Sequence, residues 1–300
     1  MRKTIFLLLI MLLAFTGLAE AAKRAHPEAK EFKILLKADN FLSFEQGCKL
    51  FWKLVESVAL DHSVKVKKAE KEYPVREICF IDSRQFALYK HGFILRIRSE
   101  DVKNAAGRIE VSGDAEMTLK FRASDFESVQ IAPVQHASQY TGEVSYEEDV
   151  VVKATAPVSV FSVSSCIFRP GSIPTDFTSL LKFYPGLQKA GFVENHPLTT
   201  VNGIFVSEKR LRLGELKFAE TKAKTIFSAW YKKGATKPFV AEFSFKVNLK
   251  AKNPARRVRD LEEINKFFVD LVERGKLFIA QGQTKTGLIY GNRRVPGRKK

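Results

Sequence analysis

Phe93-Ile94-Leu95-Arg96-Ile97-Arg98, followed by Met117-Thr118-Leu119-Lys120-Phe121-Arg122, is the part of the chain on which the fold turns. Both segments read as strands. Side chains alternate along a strand, so Arg96 and Arg98 share one face, as do Lys120 and Arg122. Four cations gathered on one sheet face repel one another unless an anion lies between them. Guanidinium groups meet phosphate through forked hydrogen bonds. The pattern therefore predicts a sheet with a site for a highly charged anion on its polar face.

Working outward, residues 32–38, 74–82, 92–99, 115–122, 143–153 and 158–168 predict strands, as do 201–206, 209–219, 224–232 and 239–248. Ala105-Ala106-Gly107, Ser112-Gly113-Asp114 and Lys233-Gly234-Ala235-Thr236 supply turns between them. Residues 123–140 read as a polar loop. Ser43 to Gln46 has capping-box form. Phe44, Cys48, Phe51, Val55 and Val58 then recur at helical spacing, which predicts a helix over 43–59. A short helix is expected near 175–183. A last one is expected from Asp260, with Gly275 as its C-cap. Many strands with few helices indicate an α+β fold with an antiparallel, closed or nearly closed barrel. We expect residues 23–290 to form one domain of two similar halves that meet near 123–140.

The 300 residues carry a net charge of +17, with 45% hydrophobic content and 25 Phe. That composition predicts a packed core and not a disordered chain. A basic start at Arg2 and Lys3, an apolar run from Ile5 to Phe15 and small residues at Ala19-Glu20-Ala21 together predict a secretory signal peptide over residues 1–22. The run is short for a membrane anchor, which needs about 20 residues. The expectation is an exported protein, periplasmic or secreted, with no stable membrane anchor after cleavage. Removing Arg2, Lys3 and Glu20 leaves +16, a balance that favours anionic partners. Arg293 to Lys300 reads as a basic disordered tail, within a segment taken as 291–300. Cys48, Cys79 and Cys166 are an odd number of thiols, read either as buried thiols or as one disulfide with one left over.

Several chemistries are excluded by what the sequence lacks. It has no Walker-type Gly-x-x-x-x-Gly-Lys, no Gly-x-Ser-x-Gly elbow and no His pair at metalloprotease spacing. Lys65-Val66-Lys67-Lys68 and Arg256-Arg257-Val258-Arg259 read first as solvated faces, with a path toward nucleic acid or an acidic polymer as the alternative. Trp52, Trp230 and the Phe residues read as packing before base stacking. Asp82 either orients an arginine or ends a strand in an Asx turn.

Asp82, Leu88, Gly92, Leu95-Arg96-Ile97-Arg98 and Thr118-Leu119-Lys120 resemble the first-half signature of the CYTH superfamily, the triphosphate tunnel metalloenzymes. Leu180 to Leu187, Lys209-Arg210-Leu211-Arg212 and Phe239-Val240-Ala241-Glu242-Phe243 resemble its later segments. The resemblance covers roughly residues 31–290. It implies an eight-stranded antiparallel tunnel lined by basic and acidic residues. It further implies that Arg96, Arg98, Lys120, Arg210 and Lys246 grip phosphates, to which Arg122, on the same face as Lys120, and Lys37 and Arg212 are added as candidates, and that Glu242 is a metal-binding acid, with Mg2+ or Mn2+ as the cofactor of any hydrolysis.

The chain departs from that family on its first strand. Where the family has Glu-x-Glu-x-Lys, this chain reads Lys33-Ile34-Leu35-Leu36-Lys37, and Glu31 falls one step too early to restore a pair. Glu242-Phe243-Ser244 lacks the second acid of a later Glu-x-Glu. Glu116, Glu143, Glu147, Asp149 and Glu215 are substitute ligands or members of salt bridges. Three functions remain open. The first is a tunnel that binds a phosphate-rich anion, such as polyphosphate or an organic triphosphate, and hydrolyses it weakly or not at all. The second is an active secreted metal-dependent triphosphatase or polyphosphatase. The third is a scaffold that binds acidic surfaces or nucleic acid.

Overall fold

The computed structural model describes residues 26–105, 108–154, 156–192, 196–249 and 254–291. The predicted signal peptide and nearly all of the basic tail lie outside them. The strands are β1 (Ala29–Leu36), β2 (Lys65–Ser83), β3 (Phe93–Ser99), β4 (Asp101–Ala105), β5 (Arg108–Ser112), β6 (Glu116–Ala123), β7 (Gly142–Lys153), β8 (Ala156–Phe168), β9 (Leu198–Phe218), β10 (Thr221–Lys232) and β11 (Val240–Asn248). The helices are α1 (Phe44–Asp61), α2 (Ala87–Lys90), α3 (Phe126–Gln130), α4 (Phe177–Phe183), α5 (Pro254–Arg274) and α6 (Lys285–Ile289).

Among the described residues, nine strands close into a hydrogen-bonded ring in the order β1-β11-β10-β9-β2-β3-β6-β8-β7, while β4 and β5 form a separate hairpin. The ring is the expected tunnel with one strand more than eight. Every pair is antiparallel except the closure, where β1 runs parallel to β7. β2 and β9 are longer than the sequence pattern predicts, and β9 joins two expected strands into one of 21 residues. Register shifts interrupt their pairing three times.

The ring is apolar outside and charged within. On its outer face, α1 and α5 cover Phe32, Leu211, Leu213, Phe227, Phe243 and Phe245, and Phe51 packs edge-on to Phe227. Gly214 lets α1 approach, because a Cβ there would meet the Trp52 ring at 2.5 Å. A second cluster packs α4 with Tyr184 and Leu187 against β3, β6 and β8. Helices therefore bury the outer faces, and burial of these Phe, Leu and Val side chains supplies the main driving force. A third cluster of Leu35, Phe80, Trp230, Ile289 and Tyr290 brings the C-terminal α6 against the ring.

Local details correct several expectations. Ser43 is the N-cap of α1, but its side chain makes no capping hydrogen bond. α5 starts at Pro254, so Asp260 lies inside the helix and is buried. Its Arg256 and Arg257 side chains lie outside those described, and Arg259 is exposed, as are Lys65, Lys67 and Lys68. Residues 123–140 contain α3. All three cysteines are free, so there is no disulfide. No helix among the described residues is long and apolar enough to cross a membrane.

Asp82 is structural. It is fully buried, and its carboxylate accepts hydrogen bonds from the backbone N–H groups of Ser83 (2.8 Å), Leu88 (2.9 Å) and Tyr89 (3.0 Å) and from the Tyr290 hydroxyl (3.3 Å). Burial pushes its carboxyl up to about 6 against the pull of those donors. It shapes the turn that enters β3, where Phe86 and Gly92 both take positive φ. Asp82→Ala leaves three backbone donors without their acceptor. We expect a loss of about 2–3 kcal/mol, read as a lower urea midpoint; an unchanged midpoint would count against this role.

Candidate functional site

The inward-facing residues follow from the register. β3 places Arg96 beside Thr118 and Arg98 beside Glu116 of β6. β6 sets Thr118 beside Cys166, Lys120 beside Ser164 and Arg122 beside Ser162 of β8. β8 then meets Glu143, Ser145 and Glu147 of β7. The parallel closure sets Glu31 of β1 against Asp149. β1 faces Lys246, Ser244 and Glu242 of β11, β10 places Ser228 beside Arg210, and β2 places Arg76 beside Glu208. Alternate residues of nine strands thus converge on one cavity of about 570 Å³.

Ten basic and seven acidic side chains line this cavity, so it remains net positive after its internal pairs are counted. The expected Arg96, Arg98, Lys120, Arg122, Arg210, Lys246 and Glu242 all reach it. Lys37 and Arg212 do not. β1 ends at Leu36, and Lys37 just beyond it is exposed. Arg212 lies farther along β9 and contacts Glu215 at 3.5 Å, so neither of those residues belongs to the cavity. The sequence reading missed Arg76, Glu208 and Lys285, and gave Lys33 and Glu31 no partners. Alternation with Arg210 marks Glu208, and alternation with Phe80 marks Arg76. Lys285 comes from the short α6 and carries no periodic signal.

The charges fall into two groups. In the lysine-rich group, Asp149 is 2% exposed and meets Lys33 at 2.7 Å, Lys120 at 3.4 Å and Arg122 at 3.7 Å. Lys33 also contacts Glu31 at 3.0 Å, and Lys246 pairs with Glu147. Burial opposes the charged form of Asp149, yet Lys120, Lys33 and Arg122 overcome it and hold its carboxyl well below the usual range. Burial likewise opposes Lys33, but Asp149, Glu31 and Glu242 keep its ammonium firmly protonated. Lys120 is farther from Asp149 and feels Arg122, so burial prevails and lowers it to about 8.

In the arginine-rich group, Arg76, Arg96, Arg98 and Arg210 surround Glu208 and Glu116. Arg76 meets Glu208 at 2.6 Å and Arg210 meets it at 3.8 Å, while Arg98 reaches Glu116 only at 3.9 Å. The Arg96 side chain makes no hydrogen bond or ion pair among the described residues, and the buried Nε atoms of Arg96, Arg98 and Arg210 have no partner there. Burial and then Arg76 lower Arg96 to about 10. Burial, Arg96 and Arg76 push Arg98 well below its ordinary value. Glu208 is held far down despite burial, by Lys285, Arg76 and Arg98.

Lys285 joins these groups. Its ammonium lies 3.0 Å from Glu242, 2.8 Å from the Ser228 hydroxyl and 4.7 Å from the Trp230 ring centroid. Glu242, expected as a metal acid, is therefore in an ion pair. Trp230 donates to Glu208 at 2.7 Å and Trp52 donates to Glu56 at 2.9 Å, so both serve packing and local bonding.

No family model and no curated protein matches the chain. Similar solved structures include HpAC1 from Hippeastrum, a candidate adenylyl cyclase that reveals a dominant triphosphatase activity, at 12% identity over 89% of this chain and 97% of that one, with a TM-score of 0.38. A candidate adenylate cyclase from Bacillus halodurans (11% identity, 87% and 98% covered, TM-score 0.32) and a protein from Pyrococcus horikoshii (12%, 88% and 99%, TM-score 0.32) are alike to a similar degree. The likeness is broad along the chain and loose in space. A closed ring of mostly antiparallel strands with a charged interior agrees with the tunnel implied by Leu95-Arg96-Ile97-Arg98 and Thr118-Leu119-Lys120.

Proposed function

We propose that this chain binds a phosphate-rich anion inside its tunnel, gripped by Arg76, Arg96, Arg98 and Arg210, and hydrolyses it weakly or not at all. The observation that carries the reading is Arg96. It sits beside like-charged guanidinium groups without a carboxylate of its own, a costly arrangement unless a ligand supplies the missing charge. Forked donors from several arginines suit phosphate oxygens. The cavity volume lies in the range of small-molecule sites. It suits an organic triphosphate or the end of a short polyphosphate, and it is too small for a nucleic-acid duplex. The basic start and apolar run at Arg2 to Phe15 support export, so the ligand would be met outside the cytoplasm.

Titration calorimetry with tripolyphosphate, alongside phosphate release, tests this reading. Saturable 1:1 binding is expected in EDTA, weakening as salt rises because the contacts are ionic. Absence of binding, or binding that requires added Mg2+, would overturn it.

A further inference from the structure

The lysine-rich group already holds a cation of its own. Glu31, Glu147 and Asp149 bring carboxylate oxygens within 4.8 Å of one another, from β1 and β7. Converging hard oxygen donors are what Mg2+ and Mn2+ take. Here the Lys33 ammonium lies 2.7 Å from Asp149 and 3.0 Å from Glu31. Glu147 is engaged by Lys246 and lies 3.7 Å from Lys120. A divalent ion bound to these oxygens would sit against an ammonium that Asp149 and Glu31 keep charged, and the two would repel strongly. The residues present therefore do not fit a resident divalent metal.

We propose that Lys33 is a tethered cation that takes the place of a divalent ion, so that the tunnel excludes Mg2+ and Mn2+ from Glu31, Glu147 and Asp149. An ammonium has three N–H donors. One is given to Asp149, and Glu31 lies in ion-pair contact, so the ammonium keeps donor capacity for a ligand oxygen. Unlike a bound metal, this cation cannot be removed by a chelator. Its charge is single, so it does less than a divalent ion to offset charge that builds on a phosphoryl group. Lys33 thus acts as a specificity-determining residue that favours binding of an anion over its cleavage. Lys285 is a second lysine seated against carboxylates of the cavity, 3.0 Å from Glu242 and 3.6 Å from Glu208.

The inference does not depend on the arginine-rich group, and its test contains no phosphate. Mn2+ alone is titrated into the full chain by calorimetry and followed by electron paramagnetic resonance. The proteins are wild type, Lys33→Arg, Lys33→Gln, and Lys33→Gln combined with Asp149→Asn. Lys33→Gln is expected to bind Mn2+ at least about a hundredfold more tightly than wild type. Lys33→Arg should behave as wild type, and the double variant should lose the gain. Thermal melts with Mn2+ cover the case in which Lys33→Gln is unstable, because an ion that binds only the folded chain raises its melting temperature. Equal Mn2+ affinity in wild type and Lys33→Gln would overturn the proposal. So would a Lys33→Gln chain that neither binds Mn2+ nor is stabilised by it.

Discussion

Arg96→Met is expected to melt at a higher temperature than wild type and to bind tripolyphosphate at least about a hundredfold more weakly. The two effects share one cause. Arg96 has no ion pair among the described residues, and its Nε is buried without a partner. Burial and Arg76 already disfavour its charge. The ligand-free fold carries that cost, and a methionine of similar length removes it while still filling the space. Replacing a poorly compensated buried charge by an apolar side chain commonly stabilises, here by about 1–2 kcal/mol. Loss of one charge-assisted contact in a desolvated site costs about 3 kcal/mol of binding, or roughly a hundredfold. Opposite movements of stability and affinity mark a residue kept for its ligand. A variant that melts lower and binds as before would sink the assignment of Arg96 to the anion site.

The period-two pattern made much of the ring legible, and the same pattern limited what could be read of the site. Arg96, Arg98, Lys120 and Arg122 alternate with Leu95, Ile97, Leu119 and Phe121, so strand and face were both evident. Alternation alone does not say whether the polar face meets water or a tunnel. That is why Glu208, inward-facing and 2% exposed, read as a break between two strands when it lies within β9. Pro74 had a similar effect in β2, whose exposed first half carries little apolar signal. The partnership of Glu31 with Asp149 depends on the parallel closure of β1 on β7, a pairing of distant segments that no local spacing encodes. For the same reason Lys33 could be seen to replace an acid but not to be seated among acids. Lys285 lies on a short helix whose position is set by Tyr290 packing near Asp82, and only tertiary contacts place it in the cavity.

Asp149→Ala is expected to cost about 3–5 kcal/mol, a large share of the roughly 5–15 kcal/mol that holds a typical domain together. Asp149 is the shared counterion of Lys33, Lys120 and Arg122. Without it, three cations remain in the tunnel wall with too few carboxylates, and each is left partly desolvated. The loss is read from urea unfolding at pH 7. Adding Lys33→Met should recover part of it, because the second change removes one of the stranded charges; the double-mutant cycle gives that coupling. The pH dependence has a definite sign. The folded chain holds the Asp149 carboxyl well below its unfolded value of about 3.9. Its contribution is therefore fully present above about pH 4 and is lost as acid protonates the group. The gap between wild type and Asp149→Ala should narrow below pH 4 and stay constant from pH 5 to 7. A gap that closes near neutrality, or Lys33→Met adding its full cost to that of Asp149→Ala, would show that Asp149 is not the charge on which this side of the tunnel balances.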